Sequence, residues 1–247
     1  MPNVLVTGSS RGLGLELVKQ LASHSFTKGS LIIAAGRKCS PELHEVVSSA
    51  KGAVVFVTLD VTNEETVAQS AETVALALGD RSMDLLTNCA GVHGETHGKV
   101  ALMSDLDYQL SVNVTGTHNV LRQYLPLMQK SQLKKVVSIS SVFGSLTNAR
   151  EVVYAPCPAY KISKTALNAL TVQYALSYEA EGFVFIALNP GWLQTEMGGQ
   201  DADLTLPQGA EAVLKTVMAA TGRDNGCFKN VYVPGWEKKY DRQDLPW

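Results

Sequence analysis

Eight residues near the start of the chain, Thr7-Gly8-Ser9-Ser10-Arg11-Gly12-Leu13-Gly14, constrain its fold more than any others. They follow a short apolar run, Val4-Leu5-Val6, and lead straight into the amphipathic stretch Gly12–Ser23. Glycines let the backbone turn sharply and keep side chains away from whatever sits at the strand end. The helix that follows points its free N–H groups and dipole at the same place, which suits a pyrophosphate. The spacing is G-x-x-x-G-x-G, a variant of the general dinucleotide fingerprint. Glycines also serve simple helix capping, so the rest of the chain must supply the context.

That context is an alternation. Apolar runs recur at Leu31–Ala35, Val54–Leu59, Asp84–Thr87, Val136–Ser140, Val184–Leu188 and Val231–Val233. Helical patterns fall between them at Glu42–Ser49, Glu64–Leu78, Tyr108–Gln129, Ala159–Ala180 and Pro207–Ala220. Leu31–Ala35 is continuously apolar, as expected of a strand covered on both faces. Strand and helix in turn predict an α/β protein, a doubly wound parallel sheet of about seven strands with helices on both faces. Right-handed crossovers leave few topologies. A (β/α)8 barrel has a similar length, but the glycine-rich turn after the first strand weighs against it. With 247 residues and no repeat or linker, residues 1–247 read as a single Rossmann-fold domain.

Composition narrows the function. Lys plus Arg number 21 and Asp plus Glu 23, a net charge of −2, which argues against a broad grip on nucleic acid or acidic lipid. Hydrophobic residues make up 45% and charged residues 18%, enough for a large core and an apolar surplus that a ligand or partner subunit would cover. Cys39, Cys89, Cys157 and Cys227 are widely spaced, which fits reduced thiols better than disulfides or zinc. His93 and His97 lie among glycines and suggest no metal site; they read as loop histidines, His93 with the alternative of lining a pocket entrance. The start of the chain has no leader pattern, and no apolar stretch reaches the ~18 residues of a membrane span. A soluble, cytoplasmic protein is expected.

At this point the chain resembles the short-chain dehydrogenase/reductase family. The turn at residues 7–14 matches the family's T-G-x-x-x-G-x-G, and the other motifs follow in order. They are Asn88-Cys89-Ala90-Gly91, Asn113, Ser141, the Y-x-x-x-K pair Tyr160 and Lys164, and Asn189-Pro190-Gly191. Within the family, Arg11–Leu15, Pro190–Gly199 and the ending Leu245-Pro246-Trp247 resemble the sniffer-like and C-factor-like carbonyl reductases. The resemblance implies a nicotinamide dinucleotide held by Thr7, Gly8, Ser10, Arg11, Gly12, Leu13 and Gly14. It adds Asp60 and Val61 beside the adenine, and Asn88, Ala90 and Gly91 after the fourth strand. Pro190, Gly191, Leu193 and Thr195 follow the sixth strand, with Tyr160 and Lys164 at the nicotinamide ribose.

The cofactor's identity can be read at the second strand. An NAD site places an acid there for the ribose hydroxyls, whereas this strand runs Ala34-Ala35-Gly36-Arg37-Lys38. Arg37, with Arg11 closing from the turn, suits a 2′-phosphate, because guanidinium forks match phosphate oxygens. NADP(H) is therefore expected. A solvated loop carrying ordinary charge is the alternative for Arg37.

Carbonyl reduction needs a hydride on carbon and a proton on oxygen. A tyrosine with a pKa of about 10 relays protons poorly at neutral pH unless a cation stabilises its phenolate. Tyr160 and Lys164, four apart in a helical pattern, project from one face, so the spacing predicts an ammonium beside the phenol. By resemblance, Tyr160 is the general acid in reduction. Of Ser140 and Ser141, Ser141 stands three residues before Gly144, as the family's serine does, and is expected to bind the substrate oxygen. Asn113 is a mediocre helix former at mid-helix; the resemblance makes it distort the helix and hold a water in a relay to Lys164, while packing against a loop is the plainer alternative.

The interval between Ser141 and Tyr160 is longer than the family commonly has, and the excess falls in 146–158. This segment either shapes the substrate mouth or is a surface insertion. The segment 192–206, where the family carries a substrate lid, holds Trp192, Leu193, Met197, Leu204 and Leu206. Trp192 and Met197 with Ser141 are the expected pocket. The leading expectation is an NADPH-dependent reductase of a small hydrophobic ketone, aldehyde or quinone-like carbonyl. NADP-dependent oxidation of a secondary alcohol and a non-catalytic NADP(H) sensor are the alternatives. By resemblance, a homodimer or homotetramer would pair the Tyr108–Gln129 and Ala159–Ala180 helices.

Overall fold

The computed structural model describes residues 1–24 and 27–247. Seven strands, β1 (Val4–Thr7), β2 (Ile32–Gly36), β3 (Val54–Thr58), β4 (Leu85–Asn88), β5 (Lys135–Ile139), β6 (Val184–Asn189) and β7 (Phe228–Asn230), form one sheet in the order β3-β2-β1-β4-β5-β6-β7. Every neighbouring pair is parallel. The helices are α1 (Gly12–Ser23), α2 (Pro41–Ser49), α3 (Glu64–Leu78), α4 (Leu106–Leu110), α5 (Gly116–Tyr124), α6 (Pro158–Ser177) and α7 (Leu206–Ala219). The doubly wound Rossmann architecture is the one expected.

Side chains of β1 alternate between two cores. Val4 and Val6 pack with Leu17, Val18 and Leu21 of α1 and Val213 and Val217 of α7. Leu5, between them, packs on the other face with Val67 and Val74 of α3 and Val120 and Leu121 of α5. Both faces are covered, so strand residues of either parity are apolar. Each fully buried Val or Leu of this kind stabilises by roughly 1.5–3 kcal/mol. Local chemistry sets the helix starts: Ser40 and Asn63 accept hydrogen bonds from Leu43 N and Thr66 N, and Thr205 and Gln208 form a capping box.

Two elements differ from expectation. The last strand is Phe228–Asn230, pairing with Ala187–Asn189, rather than Val231–Val233. Val231 and Val233 are apolar because they enter the core as the chain leaves the sheet. The single helix expected over Tyr108–Gln129 is interrupted by a π-helical turn at Ser111–Thr115 and ends in a 3-10 turn, Leu125–Met128, containing Pro126. Among the described residues, no helix is long and apolar enough to cross a membrane.

Candidate active site

The chain reverses its direction of sheet-building between β1 and β4, and open parallel sheets bind ligands at the carboxyl ends of such strands. Here those ends are joined. Thr7 Oγ1 accepts hydrogen bonds from Cys89 N (3.0 Å) and Ala90 N (3.1 Å). Gly8 has φ +68°, and a Cβ on it would stand 2.7 Å from Ala90 Cα. A Cβ on Gly14 would strike the Gly8 carbonyl, so the first turn of α1 lies directly on the strand exit. Gly12 is also left-handed, with φ +56°. Leu13 packs against the core from its edge. On the β2 side, Ser9 N donates to Ala35 O (3.1 Å) and Ser10 Oγ to Lys38 O. The result is a cradle of backbone with side chains excluded.

Charged groups around the cradle are arranged differently from expectation. Arg37 is exposed, with no ion pair among the described residues. Arg11 does not close toward it; its guanidinium is paired with Glu196, in the segment after β6. The Asp60 carboxylate accepts from Thr62 N (3.0 Å) and Thr62 Oγ1 (2.7 Å). Those bonds hold the carboxyl below its ordinary range, and the Arg37 guanidinium adds to the effect. Val61 is buried against Gly116. Asn88, at the end of β4, is 4% exposed, and neither its amide nitrogen nor its oxygen has a partner among the described residues. Buried polar atoms left unpaired by the fold point to a ligand or water at that spot.

The carboxyl ends of β5 and β6 carry the chemistry. Ser141 caps the short turn Val142–Gly144, its Oγ accepting from Phe143 N (3.2 Å). A Cβ on Gly144 would meet the Lys164 backbone at 2.9 Å. The serine-to-glycine spacing is thus the means by which the turn lies flat on α6, bringing Ser141 within hydrogen-bonding reach of the Tyr160 phenol. Ser140 is engaged elsewhere, donating to Asn168 Oδ1 at 2.6 Å. Asn189 Oδ1 accepts from Val142 N (3.2 Å), a support for the Ser141 turn that the sequence motif did not reveal.

Lys164 shares the α6 face with Tyr160, its Nζ 5.5 Å from the phenol ring centre, and donates to Ile139 O at 2.7 Å. Burial, not charge, dominates both groups. It pushes the Tyr160 phenol up, with the Ser141 hydrogen bond pulling the other way. It lowers the Lys164 ammonium to about 8. The depression of the phenol expected from the ammonium is not seen, and the cost of desolvating a phenolate sets the direction.

Asn113 sits in the π-helical turn, so the helix is distorted there as the resemblance implied. Its side chain is used on a loop. Oδ1 accepts from Val92 N (2.8 Å), while Nδ2 donates to Val92 O (3.0 Å) and Ser163 Oγ (2.9 Å). Gly91 passes between this side chain and Lys164; a Cβ there would lie 3.2 Å from Asn113 Oδ1 and 3.7 Å from Lys164 Nζ.

The segment 192–206 divides into two sets of residues. Leu193 and Leu204 are buried in the core, joined by Gln194 N donating to Leu204 O (2.9 Å), and Leu206 packs against it. Gly191, φ +85° beside Pro190, makes room for Leu204. Trp192 and Met197 remain about half exposed. Trp192 N donates to Tyr240 Oη (3.1 Å), and Thr195 lies beside Gly12. The segment 146–158 is anchored rather than loose. Lys161 Nζ donates to Val152 O (2.6 Å) and Ala155 O (2.8 Å), and Thr147 N to Trp247 O (3.0 Å). Its far end meets the loop after β4, where Thr96 N donates to Pro156 O (2.7 Å).

Two further side chains stand against Tyr160, and sequence reasoning did not place them there. The His93 ring lies edge-on with ring centres 4.9 Å apart, and Phe143 at 6.4 Å. His93 lies in an irregular loop, as expected, but it is half-buried against Tyr160 and not solvated; His97 is exposed beside Glu95.

Comparison with known proteins agrees with this geometry. Residues 2–223 match the family pattern described as short chain dehydrogenase. The chain is 31% identical to the C-signal of Myxococcus xanthus over 171 residues, covering 67% of this chain and 93% of that one. It is 32% identical to the short-chain dehydrogenase/reductase AacuF of Aspergillus aculeatus over 200 residues, 77% of this chain and 74% of the other. An NADPH-bound carbonyl reductase from chicken fatty liver superposes with a TM-score of 0.87 at 26% identity, covering 100% and 99% of the two chains. The Sniffer carbonyl reductase of D. melanogaster shares the fold, with a TM-score of 0.88 at 23% identity over 100% of both chains. The chain belongs to the short-chain dehydrogenase family and is an oxidoreductase of that family.

Proposed function

We propose that this protein reduces the carbonyl of a hydrophobic ketone, aldehyde or quinone-like compound with NADPH. The observation that carries the reading is the Ser141–Tyr160 contact, with Lys164 on the same helix face, at the strand ends that also bear the glycine cradle. The residues present fit the dinucleotide. The cradle leaves no room for a Cβ at Gly8 or Gly14, Asn88 offers an unpaired buried amide, and Arg37 is free for a 2′-phosphate. Thr7, Ser10, Gly12, Leu13, Ala90 and Gly91 would shape the cradle, with Asp60 and Val61 at the adenine end. Pro190, Gly191, Leu193 and Thr195 would bound the nicotinamide end. When bound, NADPH supplies the hydride.

The remaining chemistry belongs to this chain. Ser141 holds the substrate oxygen and Tyr160 gives it a proton, polarising the carbonyl as charge develops. A phenol is protonated at neutral pH, the form in which it can give a proton, and burial here holds Tyr160 further in that form. Lys164 orients the ribose and stabilises the phenolate left behind. Asn113 fixes the loop that closes this side of the site. Trp192 and Met197 offer the substrate apolar surface.

The test is NADPH consumption with a panel of aromatic ketones, aldehydes and quinones. Wild type is expected to turn over members of the panel, and Tyr160→Phe to lose about 10²–10⁴-fold in kcat, the usual contribution of a positioned acid. Equal turnover by the two proteins would remove Tyr160 from the mechanism. NADPH binding without any turnover would favour a sensing role.

A further inference from the structure

The proposed chemistry leaves His93 without a task, yet the fold fixes its loop at three points. Both backbone polar groups of Val92 are bound by the Asn113 side chain. At Gly94 the backbone passes so close to Asp105 and Gln109 that a Cβ would overlap the Asp105 carboxylate and come within 2.9 Å of Gln109 Nε2. Thr96 N is tied to Pro156 O at 2.7 Å. Between these anchors the His93 ring stands edge-on to Tyr160, half-buried, with ring centres 4.9 Å apart and planes at 65°. No ring nitrogen of His93 has a hydrogen-bond partner among the described residues.

Burial lowers the proton affinity of His93, against the weaker opposing pull of the Glu95 and Asp105 carboxylates. The ring is then neutral at neutral pH and carries one donor and one acceptor. Phe143, on another edge of Tyr160 at 6.4 Å, is backed by Tyr154, so that wall is apolar. A substrate seated on Tyr160 and Ser141 would displace water from the half-buried His93 ring beside them. An apolar neighbour to the carbonyl leaves the imidazole unpaired, whereas a polar one restores the bond; sites built this way discriminate strongly against the analogue lacking the group. A hydroxyl both donates and accepts, and so satisfies either tautomer, which a second carbonyl does not.

We propose that His93 is a substrate-positioning residue that selects carbonyl compounds bearing a hydroxyl on the carbon next to the reacting carbonyl. The inference rests on the carbonyl-reductase reading and narrows its substrate class. The reaction is the same: the carbonyl carbon gains the hydride from NADPH, the C=O π bond opens, and the oxygen takes the Tyr160 proton. The product is a vicinal diol, and solvent returns a proton to Tyr160.

Initial rates on 2-hydroxyacetophenone and acetophenone test it, with wild type, His93→Leu and His93→Asn. The ratio of the two kcat/KM values is expected to fall at least tenfold in His93→Leu, mainly through KM for the hydroxyketone. His93→Asn, which keeps a donor and an acceptor, is expected to restore most of it. An unchanged ratio in His93→Leu overturns the inference, and so does a ratio as low in His93→Asn as in His93→Leu, since both then report packing. Wild type that reduces other carbonyls but neither of these ketones overturns it too. If no carbonyl at all is reduced, the carbonyl-reductase reading falls along with it.

Discussion

The ion pair between Arg11 and Glu196 makes a measurable claim about cofactor choice. Arg11 occupies the N-cap position of α1 with extended backbone, φ −162° and ψ 175°, and its side chain reaches across to the segment after β6. A 2′-phosphate that engages Arg11 must take it from Glu196. The perturbation is Glu196→Gln, which keeps the side chain's size and removes its charge. Both partners are well exposed, 76% and 79% by side chain, so the pair is of the solvent-screened kind. Such pairs contribute about 0.2–1 kcal/mol. Removing a competitor of that strength tightens NADPH by about 1.4- to 5-fold, since 1.4 kcal/mol is a factor of about ten. NADH has no 2′-phosphate, so its affinity stays where it was.

Calorimetric titration of wild type, Glu196→Gln, Arg11→Gln and the double variant reads this directly. The gain for NADPH is expected to shrink as salt is raised, because exposed charges are screened over about 8 Å at physiological ionic strength. It is also expected to vanish on the Arg11→Gln background. Equal tightening of NADH and NADPH would refute the reasoning by showing that Glu196 acts on the cradle's shape. Weaker NADPH binding would refute it more directly, by showing that Glu196 holds Arg11 ready for the phosphate.

Two other outcomes follow from the site. Lys164, lowered to about 8 by burial, loses its charge as pH rises through that value, so kcat/KM for reduction should fall above about pH 8. Lys164→Arg keeps its charge throughout and should move the falling limb to higher pH even if its rate is lower; an unmoved limb assigns the titration to another group. Asn113 is 1% exposed and makes three hydrogen bonds, two of them to Val92. Asn113→Ala leaves the Val92 polar groups unpaired and should lower stability by about 1–3 kcal/mol. Urea unfolding measures the loss, and an unchanged midpoint would show that Val92 finds other partners.

What could be read from the sequence was what local chemistry specifies. The strand–glycine–helix entry depends on neighbours within ten residues, and Gly12–Ser23 forms with the bounds its pattern suggested. The family's serine-to-glycine spacing favours Ser141 over Ser140, and in the fold that glycine lies against the Lys164 backbone. The distortion at Asn113 was implied by the resemblance and not by the helical pattern, which ran unbroken over Tyr108–Gln129, and its hydrogen-bond partners at Val92 and Ser163 were not visible at all. Val231 and Val233 misled, since apolar residues that enter a core look the same whether or not their backbone pairs in a sheet.

What could not be read depends on contacts between distant segments, and these change the electrostatics of the site. Arg11 and Glu196 come together across most of the chain length, so a phosphate ligand expected to find Arg11 free finds it engaged. The phenol and ammonium of Tyr160 and Lys164 sit on one face as their spacing required. Yet burial from the surrounding elements moves the two groups in opposite directions, the phenol up and the ammonium down. A chain that relied on the ammonium alone to ionise the tyrosine would start from a phenolate, suited to taking a proton from an alcohol. Burial moves the phenol further from ionising, and a neutral phenol beside Ser141 is suited to giving one. The readiness of the proposed acid therefore rests on the core that α6 is packed into as well as on the four-residue spacing, and loosening that packing should bring the phenol and the ammonium back toward their ordinary ranges while leaving both residues in place.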